Sequence, residues 1–163
     1  MGASEALLGV IALAIGLLLA WRSGPVARWV LFGSAMLVSG LLFLPGEQIT
    51  GLAGKEAVSG LRNLADATPW DISDWTHFVL FVWLGLMVWI ARPDLRGWKI
   101  WMLVGFLAIA AELGQGLAPG RAPRVDDVAL NVAGGTAGVL LGILIGTLRK
   151  NSHKPLVEKP KRS

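Results

Sequence analysis

Residues 112–138 read ELGQGLAPGRAPRVDDVALNVAGGTAG, and the fold turns on how this stretch is understood. It sets Glu112, Gln115, Arg121, Arg124, Asp126, Asp127 and Asn131 between two segments that are otherwise apolar and rich in glycine. In a chain that is 54% hydrophobic, so many polar groups in one short span need a physical reason. An ionised side chain left unpaired in hydrocarbon is costly enough that it marks a functional site by default. The stretch therefore reads as the lip of a polar site set into a membrane helix bundle.

The blocks on either side agree with that. The mean hydropathy is +0.61, and the apolar residues come in long runs rather than in the alternation of a soluble core. The run Glu5–Trp21 lacks the basic start of a secretory signal and reads as a first membrane helix. SGP at 23–25 is a turn with Pro25 placed to open the next helix, and Arg28–Leu44 is the second span, stopped by Pro45-Gly46. Ser73 or Asp74 can cap a third helix that runs through HFVLFVWLGLMVWI to Ala91. A fourth runs from about Trp98 to Leu117, ended by Pro119-Gly120, and a fifth, capped by Asp126 or Asp127, runs to Leu148. In the long 45–73 connection, Ala57, Val58, Leu61, Leu64 and Ala65 share one helical face opposite Lys55, Arg62, Asn63 and Asp66. That pattern predicts a short amphipathic helix on the membrane surface.

The expected architecture is thus an all-α polytopic bundle of five transmembrane helices. One domain spans 1–148, and a basic, Pro-containing segment, 149–163, reads as a disordered cytoplasmic tail. The charges orient it. The 21–28 loop, the 92–99 loop and the tail carry all but four of the fifteen basic residues, leaving only Lys55, Arg62, Arg121 and Arg124 for the other side. The positive-inside rule then puts the C-terminus in the cytoplasm and the N-terminus outside, in a multi-pass protein of a bacterial cytoplasmic membrane. The net charge of +4 is explained by this distribution, so no nucleic-acid partner is expected.

With that topology His77, Glu112, Gln115, Arg121, Asp127 and Asn131 gather at the extracytoplasmic end. Glu112 and Gln115 are i, i+3 and Asp127 and Asn131 are i, i+4, so each pair shares a helix face. Each residue also has a plainer reading. Asp126 and Asp127 could be caps, Arg121 could merely neutralise a carboxylate, Gln115 and Asn131 could be interhelical glue, and His77 could be an interfacial anchor. One shared polar pocket is the more economical account. Arg124 and Asp74 read as solvated. Gly134, Gly138, Gly142 and Gly146, four residues apart, predict a close helix-packing face that could also seat a second copy of the chain. There is no Cys, and His77 is the one His in the apolar body. A metal site would therefore have to be mostly carboxylate, and neither a metal nor a cofactor is assigned.

His77-Phe78, Glu112-x-x-Gln115, Pro119-Gly120-Arg121 and Asp127-x-x-x-Asn131-x-x-Gly134, with Gly138 beyond, resemble the VanZ-like family of small integral membrane proteins over roughly residues 71–146. Where that family usually has Asp four residues before the His, this chain has Ser73, and its aromatic after the His is Phe81 rather than Tyr. The resemblance implies a membrane location, a role in the cell envelope and an association with low-level resistance to the glycopeptide teicoplanin. Two kinds of function fit the residues. One is a binding protein in which Arg121 anchors an anionic group of a lipid-linked precursor, a peptide stem or a glycopeptide among membrane lipids. The other is a membrane enzyme acting on a lipid-linked phosphate, with His77 and Glu112 as acid and base. No nucleophile elbow, zinc-protease motif or phosphate loop accompanies the pair, so binding is the preferred expectation.

Overall fold

The structure is a computed structural model that describes residues 3–43, 59–60, 62–63, 65–117 and 123–152. Among these residues there are five long helices and no strand: α1 (Ala3–Ala20), α2 (Pro25–Phe43), α3 (Ile72–Ala91), α4 (Trp98–Gln115) and α5 (Val125–Ser152). Each boundary has a local cause. Pro25 opens α2, where a missing N–H costs no intrahelical bond. The cap of α3 is Asp71, not Ser73 or Asp74. Its side chain accepts from the Asp74 amide at 2.9 Å, and Asp74 accepts from the Asp71 amide at 3.1 Å, a reciprocal capping box. Gly97, at φ 89°, starts α4 in a backbone conformation that a side chain would strain.

The fifth helix differs from expectation at both ends. It begins at Val125, so Asp126 and Asp127 occupy its first turn, where carboxylates favour the positive end of the helix dipole, instead of capping it. It also runs on to Ser152, so residues 149–152 belong to the helix and not to a tail. Arg149 and Lys150 complement the negative end of the dipole, and the chain meets no Pro until Pro155. The rest of the expected tail lies outside the described residues. Of the expected surface helix, residues 59–60, 62–63 and 65–66 are helical, with Arg62, Asn63 and Asp66 exposed and Ala65 half-buried. Its apolar face, Ala57, Val58, Leu61 and Leu64, lies outside the described residues.

Glycine determines how the bundle closes. A Cβ added at Gly134 would collide with the Phe78 carbonyl, at Gly138 with the Val82 carbonyl, and at Gly142 with the Trp89 ring. Gly85 on α3 in turn lies against the backbone of Gly135. These contacts advance together along both helices, so α3 and α5 run parallel with their backbones nearly touching. Gly146 meets nothing within 4 Å, so the packing face inside the chain ends at Gly142. Gly16 of α1 lies against Phe32 and Met36 of α2, as an antiparallel hairpin turning at 21–24 requires. The shared core is formed by residues such as Leu31, Val38, Phe81, Val88, Ile100, Ala108 and Val139.

Outside this core the surface is apolar. Leu18, Trp29, Ile90, Met102, Phe106, Leu113 and Leu140, from all five long helices, are each more than half exposed. Two helices, Ile72–Ala91 and Val125–Ser152, are long and apolar enough to cross a membrane, and Leu7–Ala20 is a shorter apolar helix.

One basic residue assigned to a loop is instead buried. Arg92 is 6% exposed and clasps the end of α1, its Nη1 donating to the Leu19 carbonyl at 2.7 Å and, more weakly, to the Leu18 carbonyl at 3.4 Å. Its Nε and Nη2 donate to the two carboxylate oxygens of Asp94 at 2.8 Å each. The clasp ties the C-terminal ends of α1 and α3 together, so these helices also run in the same direction.

Candidate functional site

About four turns of α3 away from that clasp, at the opposite end of the helix, a second buried polar group is assembled. The close contact of α3 with α5 places His77 beside Asn131, and the packing of α4 on α5 brings Glu112 and Gln115 to the same point. His77 and Glu112 are each 3% exposed, Gln115 3%, Asp127 6% and Asn131 0%. Five of the six residues expected at the site are therefore together and buried. The sixth, Arg121, lies outside the described residues, as do Pro119 and Gly120.

The hydrogen bonds define the orientation of the imidazole. His77 Nδ1–H donates to Asn131 Oδ1 at 3.0 Å. In the neutral ring this leaves the Nε2 lone pair on the other side, where the Gln115 amide nitrogen donates to it at 3.4 Å. Nε2 also faces Asp127 Oδ2 at 3.9 Å, beyond hydrogen-bond range. Glu112 Oε1 accepts a short hydrogen bond from the Arg124 backbone amide, which pins the start of α5 to the end of α4. Among the described residues, Glu112 Oε2 and Asn131 Nδ2 are buried without a hydrogen-bond partner. One donor atom each from His77, Glu112 and Asp127 lie within 4.8 Å of one another.

Arg124, read from the sequence as solvated, stands at the mouth of this group. Its guanidinium lies 3.9 Å from Asp127 Oδ1 and 4.0 Å from Asp126 Oδ2, with the side chain 54% exposed. The i, i+3 spacing of Arg124 and Asp127 was the available signal, and the Pro-rich turn around it made a loop cation the simpler reading. Asp126 itself points outward, its side chain 86% exposed. Asp74 serves the capping box and not the site. Trp70, Trp75 and Phe78 cluster beside the site, with ring centroids 4.9 to 5.8 Å apart, and Trp75 Nε1 donates to Thr68 Oγ1 at 2.9 Å. Such rings suit the boundary between lipid and water.

Chemically the group offers one imidazole nitrogen, two carboxylates and two amides in a buried setting, with an arginine at the opening. No curated protein and no solved structure matches the chain. A family model described as VanZ/LLP1 does match, over residues 7–146. That match reaches beyond the 71–146 covered by the motifs to take in α1 and α2, and it contains every residue of the polar group. The chain belongs to the VanZ/LLP1 family.

Proposed function

We propose that this protein is a multi-pass component of a bacterial cytoplasmic membrane that binds an anionic group of a cell-envelope ligand at the outer face. All five helices cross the bilayer in this reading, with α1, α3 and α5 running inward from outside. The family and the two membrane-length helices support a membrane protein. The concentration of basic residues at the Arg92 end and in the tail supports the orientation. The His77 end then opens outward, where lipid-linked precursors, peptide stems and glycopeptides are met.

The single observation that carries the binding reading is Arg124. Glu112 holds its backbone and Asp127 lies beside its guanidinium, while the side chain remains half exposed at the mouth of the site. An arginine oriented in this way presents spare N–H donors to a phosphate or carboxylate. Arg121, three residues earlier, would supply a second. Members of this family are associated with teicoplanin tolerance, and the same site is the place where such an effect would arise.

The test is binding of a polyprenyl phosphate against the neutral polyprenol, using purified protein in nanodiscs. The phosphate should bind more tightly. Arg124→Gln should weaken it by about tenfold, in line with loss of a charge-assisted hydrogen bond of about 1.5 kcal/mol. Equal binding of the two lipids would sink the reading. Release of phosphate that is abolished by His77→Ala would replace it with the enzyme reading.

A further inference from the structure

We infer that His77, Glu112 and Asp127 form a divalent-cation site that takes Zn²⁺ or Mn²⁺ through His77 Nε2 and one oxygen of each carboxylate. The inference goes beyond anion binding and does not depend on it.

The first support is a set of acceptors turned towards one another. The bond from Nδ1–H to Asn131 turns the Nε2 lone pair towards Asp127 Oδ2, 3.9 Å away. Two electron-rich atoms facing each other across that gap are drawn together by a proton or by a metal cation between them. Glu112 adds a third donor within 4.8 Å of both, and its Oε2 is buried without a partner among the described residues. Donors around a four-coordinate Zn²⁺ sit roughly 3.4 Å apart, given bonds of about 2.1 Å. The three side chains therefore need to close by about 1.4 Å at most, within reach of small χ rotations.

The second support is the outer layer. Metal-binding histidines almost always donate their other ring N–H to a carbonyl or carboxylate, and ligating carboxylates are themselves hydrogen-bonded. Asn131 on His77 and the Arg124 amide on Glu112 supply such bonds, and the Arg124 guanidinium lies 3.9 Å from Asp127. Charge and size point the same way. Among the described residues two buried carboxylates are faced by one half-exposed guanidinium, and a divalent ion would complete the balance. All three donor residues are 6% exposed or less, so nothing much larger than an ion or a water enters without the side chains parting. One imidazole with two carboxylates suits Zn²⁺ or Mn²⁺ better than the all-oxygen preference of Ca²⁺ or Mg²⁺. Gln115, whose amide nitrogen now lies 3.4 Å from Nε2, would turn its carbonyl towards the ion or give way to it.

Full-length protein, stripped with a chelator and held in nanodiscs, would be titrated with Mn²⁺ and separately with Zn²⁺, with no lipid ligand added. One ion per chain is expected, and the electron-spin-echo spectrum of bound Mn²⁺ should show the ¹⁴N coupling of one imidazole. Glu112→Gln and Asp127→Asn should each weaken binding by roughly 100-fold, and Asn131→Ala by about 10- to 100-fold. Asp126→Asn should leave it unchanged. Absence of saturable binding, or of the ¹⁴N coupling in the unaltered protein, overturns the site even if every variant fails to fold. Binding that survives both carboxylate changes overturns it as well. Repeating the polyprenyl phosphate measurement in EDTA separates the two readings. Lipid binding without any bound ion removes the cation site alone, and ion binding without lipid preference removes the anion reading alone.

Discussion

The two ends of α3 carry two buried polar centres built on opposite terms. At the C-terminal end, Arg92 spends Nε, Nη1 and Nη2 on Asp94 and on the carbonyls that end α1. Its donors are matched by acceptors that need them, including helix-end carbonyls that otherwise lack a partner. At the N-terminal end, His77, Glu112, Asp127 and Asn131 are as deeply buried, yet Glu112 Oε2 and Asn131 Nδ2 have no partner among the described residues. A buried polar atom left unsatisfied costs about 1–3 kcal/mol, so such a centre is a poor structural device. Among the described residues the first centre is complete within the fold, and the second has capacity left over.

The strongest way to test the contrast is to disturb what holds both centres in place. Gly138 lies between them, and its hydrogen faces the Val82 carbonyl. Gly138→Leu should push α5 off α3, cost more than about 3 kcal/mol and leave little monodisperse protein in detergent. Unchanged yield and melting temperature would mean that this face is not the contact described.

A paired substitution comes next. Arg92→Gln should lower stability by about 2 kcal/mol, because it strips charge-assisted bonds and leaves the Leu19 carbonyl without its donor. Glu112→Gln should change stability by less than about 1 kcal/mol, because it keeps an oxygen for the Arg124 amide and alters only the unpartnered atom. Thermal melts of the two proteins side by side decide the matter, and the opposite ranking would break the comparison.

The smallest effect is in pH. Hydrogen bonding to the Arg92 guanidinium holds the Asp94 carboxyl below its ordinary range. A carboxyl lowered in the folded state binds protons more weakly than in the unfolded chain. The stability it contributes is therefore present above the ordinary carboxylate pKa and is lost as pH falls through the folded value. Asp94 is 36% exposed, so solvent screens the effect. Melts taken between about pH 6 and pH 3 should show a shallower acid loss for Asp94→Asn than for the unaltered protein.

Much of the polar site was legible because its signals are local. The i, i+3 pair on α4 and the i, i+4 pair on α5 follow from helical geometry, as does the four-residue glycine spacing that lets α5 approach α3. Other features were not legible, and the reasons are particular. Asp71, not Ser73 or Asp74, caps α3, because neighbouring residues of equal capping ability compete and a shift of two or three positions decides which one wins. Arg92 looked like a loop cation because its partners are carbonyls of α1, more than seventy residues earlier. Arg124 reads as solvated and its side chain is indeed 54% exposed, but nothing in the turn shows that Glu112 will accept its backbone amide.

The amino-acid order alone determined that apolar helices would form, where they would break, and which polar side chains would share a helix face. These are properties of hydrophobic blocks, of Pro and Gly, and of a 3.6-residue period, all of which act over short range. Only the tertiary structure decided that His77, Glu112 and Asp127 lie within 4.8 Å of one another while Arg92 is fully engaged elsewhere. Those outcomes depend on the parallel register of α3 on α5, which glycine contacts between distant segments determine, and no local pattern encodes the distance between atoms on different helices.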